Sequence, residues 1–342
     1  MKLLLVLAST GPMVGGMERQ VALQANHLSK LDSTQVSVIA SPCFSSLFSP
    51  CVNFVALDMS RSRRNLKLLF DLRINIRQIS PDLVHAHGHK SAYLLSTIKF
   101  LLNTSIKLIA TSHNVKRNNR ALDKMDYVFS VSEGVQDVVK PKKSLVVHNG
   151  IEACSTAKTT RSLFCESVGI DPKRPLILGV GRLVKTKNFE SLILACNDLD
   201  ANLVLLGDGP ELRQLTTIAS DNVRLAGYRE DTRSILFVAD MMVICAKRDG
   251  FSLALIEALH SRLPVLSTRV PGAQDLLPES CLIDSTKTEH LKPFIQHHLD
   301  NMTALRNGQE EQFRYAENDL QIERVAEKTH GLYTKIISGL AL

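Results

Sequence analysis

Apolar residues fall along the chain in short, nearly unbroken runs separated by polar, glycine-containing turns, a pattern that predicts buried parallel strands alternating with helices. Lys2 to Ala8 reads as a strand, Ser9 to Gly16 as a turn, and Met17 to Lys30 as a helix with Val21, Leu23, Leu28 and Leu31 near helical spacing. Short strands follow at Val36–Ala40 and Val52–Leu57, then a helix from Asn65 to Ile79 that stops before Pro81, and strands at Asp82–His87, Ile106–Thr111, Tyr127–Val131 and Leu145–His148. After a polar, irregular stretch the alternation resumes. Strands are expected at Leu176–Val180, Asn202–Leu206, Val223–Ala226, Met241–Cys245 and Val265–Ser267, with helices between them and further helices near 286–306 and 310–340. Two such βα series predict an α/β chain with two doubly wound, Rossmann-like domains. Their expected bounds are 1–153 and 175–309, joined by a linker at 154–174 and followed by helices at 310–342.

Composition narrows this picture without redirecting it. Hydrophobic residues make up 44% and charged residues 22% of 342 positions, values of a globular chain long enough for two cores. The seven cysteines (43, 51, 154, 165, 196, 245 and 281) contain no Cys-x-x-Cys pair, which points to reduced, mostly buried thiols in a cytoplasmic protein. The opening MKLLLVLAST has a short apolar stretch that runs straight into a Gly-rich turn, so it is expected to be a strand rather than a signal peptide. No run of about 18 apolar residues occurs, so no membrane-spanning helix is expected.

Charge is divided unevenly. Residues 1–160 carry 20 Lys+Arg against 10 Asp+Glu, and the remainder 21 against 24. Arg61, Arg63, Arg64, Lys67, Arg73 and Arg77 form one basic group, and Lys116, Arg117, Arg120 and Lys124 another. An anionic membrane surface or a charged glycolipid is the expected partner of the first domain. No nucleic-acid-binding motif is present, and nucleic acid is not an expected partner.

Candidate chemistry concentrates in Cys245–Thr268. Asp249 lies in a Gly250-containing turn and Glu257 in an apolar helical run that Ser252 is positioned to cap. Both carboxylates are thus expected near one helix end. Backbone N–H groups of Phe251, Ser252 and Leu253 would offer an anion site at that helix start. Upstream, LILGVGRLVKTKNFESL ends a strand at Gly181 and presents Arg182 and Lys187. In the first half, HAHGHKS places His85, His87 and His89 at a strand end. They have metal-like spacing, but no accompanying carboxylate or Cys cluster, and no metal is expected there. Asp198 and Asp200 mimic a metal-binding acid pair, yet fall at a helix end rather than after a strand. His113 follows the strand ending at Ser112, on the edge where doubly wound sheets bind ligands.

These segments resemble retaining glycosyltransferases of family 4. The Arg182–Lys187 loop is similar to that family's donor-phosphate loop, and Asp249 to Glu257 to its paired acids, normally Glu, seven residues, Glu. GGMER resembles the Gly-Gly loop, HAHGHKS the acceptor-side loop, and Asn149-Gly150 the turn that ends the first domain. The resemblance implies a GT-B fold, with two domains facing across a cleft and the last helix crossing back to the first domain. It also implies transfer from a nucleotide-sugar donor, UDP-linked, to a glycan or lipid-linked acceptor without metal or other cofactor. Donor contacts would come from Gly15, Gly16, Gly181, Tyr228, Arg229, Gly250, Phe251, Ser252 and Leu253, and acceptor contacts from His87, Gly88 and Lys90. Arg182, Lys187, Asp249, Glu257 and His113 would serve the reaction, Glu257 at the ribose hydroxyls and His113 at the donor sugar. Asp in place of the first Glu is a departure that shortens the reach toward that sugar. Gly207 and Gly209 read as turn glycines. Cell-surface polysaccharide or lipopolysaccharide synthesis at the inner membrane face fits this reading. A nucleotide-sugar epimerase of the same fold and a non-catalytic sugar-binding protein remain open, whereas a nicotinamide enzyme lacks its Gly-x-Gly-x-x-Gly signature.

Overall fold

In a computed structural model of the chain, Leu3, Leu4, Leu5, Val6 and Leu7 are fully buried because strand β1 (Lys2–Leu7) runs through the middle of a parallel sheet. The structure describes residues 1–9, 11, 13–114, 120–139, 143–153 and 159–341. Pro12, Lys116, Arg117, Cys154 and the 154–158 part of the expected linker lie outside the described residues. The chain divides into two units, Met1–Glu152 with Leu320–Leu342, and Ala153–Asp319.

The first unit continues with β2 (Gln35–Ala40), β3 (Asn53–Ala56), β4 (Leu83–His87), β5 (Lys107–Ser112), β6 (Tyr127–Ser130) and β7 (Ser144–Val146). They pair in the order β3-β2-β1-β4-β5-β6-β7, with Leu5 opposite Val38 on one side and His85 on the other. Strand order therefore reverses between β1 and β4. At that point the connections leave on opposite faces and open a crevice at the strands' carboxyl ends.

The second unit repeats the plan with β8 (Leu176–Val180), β9 (Asn202–Leu206), β10 (Val223–Leu225), β11 (Met241–Ile244), β12 (Val265–Thr268) and β13 (Leu282–Ile283). Their order is β10-β9-β8-β11-β12-β13, all parallel. Its reversal falls between β8 and β11.

Three boundaries differ from the sequence reading. Arg161–Val168, inside the expected linker, is a helix, capped by the Thr160 hydroxyl and ended by Gly169 in the left-handed region. Its Arg161 binds Asp240 at 2.7 Å and the carbonyls of Pro172 and Arg174, which ties it to the second unit. The helix Glu310–Asp319 also belongs there, held by Arg262 to Glu317 at 3.2 Å and by the buried Gln309 amide on both backbone groups of Val265. Only from Leu320 does the chain rejoin the first unit. There the helix Ile322–Ser338 contributes Ala326, Tyr333 and Ile336 to the same core as Leu3, Leu5, Leu7 and Val21. Gly150 makes that seating possible, since a Cβ on it would lie 2.9 Å from the Ile322 Cα.

Candidate active-site residues in each unit

In the second unit the loops after β8 and β11 meet at the reversal point. After β8 the backbone turns sharply, with Gly181 at φ +146° and Asn188 at φ +57°. Asn188 holds this turn by donating its amide to Thr286 O at 2.9 Å. Gly207 and Gly209 are more than turn residues. A Cβ on Gly207 would stand 2.0 Å from Gly181 O, and one on Gly209 2.3 Å from Leu183 O, so both glycines let the neighbouring loop lie directly against 181–183. Gly207 N–H also donates to Gly227 O at 2.8 Å.

The Lys187 ammonium crosses from the first loop to the second and donates to Asp249 Oδ2 at 2.5 Å. Asp249 Oδ1 accepts from Gly250 N–H at 3.0 Å. Asp249 sits in the glycine-containing turn ahead of the helix, as its sequence context predicts, and is bound to a cation 62 positions away that the spacing to Glu257 did not reveal. Gly272 supports this loop, since a Cβ there would meet Phe251 Cα at 2.7 Å and Gly250 O at 2.9 Å. Beneath the pair, the Cys245 thiol donates to the carbonyls of Lys187 and Asn188, and burial pushes its pKa up to about 12. Lys187, Val180, Phe189, Cys245 and Ser252 line a small pocket at this point.

The helix Leu253–His260 begins at Ser252. Ser252 occupies the cap position, but its side chain makes no capping hydrogen bond, contrary to expectation. Glu257 lies on this helix, buried, and accepts from Arg233 Nε at 3.2 Å. Sequence reading missed Arg233, which stands in the helix Thr232–Leu236 without any motif around it. Tyr228 and Arg229 are the donor contacts expected nearby. Tyr228 is exposed, while Arg229 is occupied by a two-pronged contact to Asp231 at 2.8 and 2.7 Å and lies over the Phe164 ring. Arg182 is exposed, with no side-chain partner among the described residues.

In the first unit β4 ends at His87, and a helix, Gly88–Ile98, starts where a loop was expected. Gly88 takes φ +79°, with Met17 Sδ 2.9 Å from where a Cβ would stand. His85 is a structural bridge. Its ring nitrogens meet Tyr333 Oη and Thr111 Oγ1, each at 2.6 Å, and burial pushes its pKa down to about 3. His87 stacks on it at 4.1 Å between centroids and reaches His113 Nε2 through Nδ1 at 3.3 Å. His87 is held well below the usual range by burial and by neighbouring His85 and His113, and His113 is pushed down to about 4 by burial and the nearby His89. His87 and His113 line a small cavity with Gln20, Gln24, His148 and Asn149.

The remaining acceptor-side and Gly-loop residues are more committed than expected. Lys90 donates to Met59 O, and Gly15 N–H donates to the Glu18 carboxylate at 3.0 Å at the start of the helix Gly16–Leu28. Asp198 and Asp200 form surface ion pairs with Lys292 and Arg174. Among the described residues no group of three or more His, Cys, Asp or Glu is arranged to hold a metal, and no helix is long and apolar enough to cross a membrane.

The family model of glycosyltransferase family 4 matches residues 14–153, and that of glycosyl transferases group 1 matches 161–307. Together they take in the candidate residues of both units. The chain belongs to these glycosyltransferases. The N-acetyl-alpha-D-glucosaminyl L-malate synthase of Bacillus anthracis is 24% identical over 57% of this chain and 58% of its own length. A lipopolysaccharide core biosynthesis glycosyltransferase of Rhizobium meliloti, LpsE, is 36% identical over 29% of the chain and 31% of its length. The match thus spans little more than half of the first relative and a third of the second. The solved structure of Anabaena HepE in complex with UDP and glucose superposes with a TM-score of 0.81 at 17% identity, covering 98% of this chain and all of that one. The fold is therefore GT-B.

Proposed function

We propose that this chain is a retaining, metal-independent glycosyltransferase that moves a sugar from a UDP-linked donor to a glycan or lipid-linked acceptor in cell-surface polysaccharide or lipopolysaccharide synthesis. The observation that carries the reading is the meeting of Lys187 and Asp249 across the β8/β11 reversal, with buried Glu257 one turn into the adjoining helix. The relatives named for lipopolysaccharide core and N-acetylglucosaminyl transfer support the sugar chemistry, and the HepE complex supports UDP.

As the bond between the sugar and the diphosphate breaks, negative charge grows on the leaving phosphate. Lys187, Arg182 and the N–H groups at Phe251–Leu253 stabilise it electrostatically, in place of a metal ion. Glu257 accepts the two ribose hydroxyls. In a front-face displacement the acceptor oxygen forms its bond to the anomeric carbon on the side the phosphate leaves, and the hydroxyl proton passes to that phosphate. His113, neutral at physiological pH, orients the sugar. His87, Gly88 and Lys90 serve the acceptor. The chain works in the cytoplasm, where the basic first unit brings it to an anionic membrane surface.

Calorimetry with UDP, GDP and ADP in metal-free buffer tests the donor assignment. Selective UDP binding, weakened about tenfold or more by Glu257→Ala and by Arg182→Ala, is expected. If no nucleotide binds the folded chain at millimolar concentration, the assignment is wrong. Sugar product analysis then separates transfer from epimerisation, and donor binding without turnover on any acceptor would favour a binding protein.

A further inference from the structure

The helix Leu66–Ile79 packs inward through Leu68, Leu72 and Ile76, which are fully buried. Its outward side is apolar as well. Leu66 is 81% and Phe70 58% exposed, and Ile74, half-buried, continues them at the four-residue step that stacks side chains on one helical face. A soluble surface rarely keeps a contiguous stripe of this kind without using it. Beside it, the turn Lys99–Leu101 exposes Phe100 at 81% and Leu101 at 44%. Arg73 joins the two elements by donating Nε–H to Leu101 O at 3.4 Å.

Cations border this surface. At 100° per residue Lys67 and Arg73 fall on either flank of the Leu66–Phe70–Ile74 stripe, and Arg77 extends it. Arg64, Lys67 and Arg77 are exposed and make no ion pair among the described residues. Arg63 lies 4.5 Å over the Tyr93 ring, which anchors the preceding segment to the helix Gly88–Ile98. From 61 to 107 the sequence has nine Lys and Arg against Asp71 and Asp82 alone.

We infer that the outward face of Leu66–Ile79, with Phe100 and Leu101, is a docking surface that lies on an anionic bilayer, apolar side chains entering the headgroup boundary and the bordering cations meeting lipid phosphates. Charge complementarity selects the occupant. A soluble protein partner would need acids arranged around an apolar patch, whereas a bilayer supplies both features at any orientation. Long basic side chains reach up from an apolar footprint to the phosphate level, and an interfacial helix sits roughly 5–10 Å deep in that boundary. This sharpens the membrane part of the proposed function and is independent of the donor assignment.

The chain has no Trp, so Phe70→Trp gives a single reporter at an exposed position. With vesicles of phosphatidylglycerol and phosphatidylcholine its emission is expected to shift to the blue and to be quenched by brominated acyl chains, with little change on phosphatidylcholine alone. The double substitution Leu66→Ser with Phe70→Ser should lower vesicle partitioning about tenfold or more, with circular dichroism unchanged. Lys67→Glu with Arg77→Glu should lower it on anionic vesicles only. Vesicle binding with an unshielded indole would overturn this face while leaving membrane association in place. Absence of vesicle binding would overturn both, and UDP calorimetry on the same variant shows separately whether the donor site stands.

Discussion

Lys187 and Asp249 neutralise one another, and under the proposed function a donor diphosphate that draws the Lys187 ammonium would release the Asp249 carboxylate toward the sugar hydroxyls. Asp249→Asn removes the competitor for Lys187, and UDP affinity should hold or rise a few-fold by calorimetry while transfer falls. Arg233 and Glu257 behave differently, because Glu257 is buried. A buried carboxylate whose cation is removed destabilises a protein by about 3–5 kcal/mol. Arg233→Ala is therefore expected to lower the thermal midpoint and UDP affinity together, and Arg233→Lys to restore part of each. Three neighbouring histidines of the first unit set a pH limit. His85, His87 and His113 have folded pKa values below their ordinary 6.5, so the unfolded chain binds protons first as pH falls. Stability is fully present above about 6.5 and declines from there toward pH 4, by about 1.4 kcal/mol per pH unit for each histidine involved. Urea titrations between pH 7.5 and 4.5 should show this slope, shallower in His113→Gln.

At the scale of elements, strands were the legible part. β1, β9 and β11 are runs of apolar residues with little else in them, and a strand buried on both faces leaves that signature. The loops of the candidate site were legible for a related reason, since each follows such a run. What the sequence concealed was pairing across distance. Asp249 and Glu257 are eight positions apart and look like a unit, yet their partners differ: Lys187 comes from the loop after β8 and meets Asp249 where strand order reverses at β8/β11, and Arg233 comes from the helix Thr232–Leu236. The helix Gly88–Ile98 was hidden by its start, His-Gly-His, which reads as a loop until Gly88 is seen at a positive φ beside Met17. Gly207 also looked ordinary. With Gly181 O 2.0 Å from its would-be Cβ and φ at +149°, Gly207→Ala should destabilise the second unit by more than about 2 kcal/mol in thermal denaturation and weaken UDP binding with it.

For the whole molecule, the two-unit plan was readable from the repeated alternation, but the linker and the chain's return were not placed to the residue. Polar composition at 154–174 concealed the helix Arg161–Val168, and the amphipathic run after 310 gave no sign that its first helix stays with the second unit. Deleting 320–342 removes Tyr333, whose hydroxyl is bonded to His85, and uncovers Leu3, Leu5 and Leu7. The expected outcome is an aggregating product in which Ala153–Asp319 still gives a cooperative transition, read by calorimetry. During synthesis the consequence is one of order. The second unit is continuous in sequence and is free to fold as it leaves the ribosome, whereas the first must wait, its sheet incomplete on one face, for a helix made after the second unit. A sheet begun before the second unit is finished after it, and through that interval its exposed leucines are the ones a chaperone would meet.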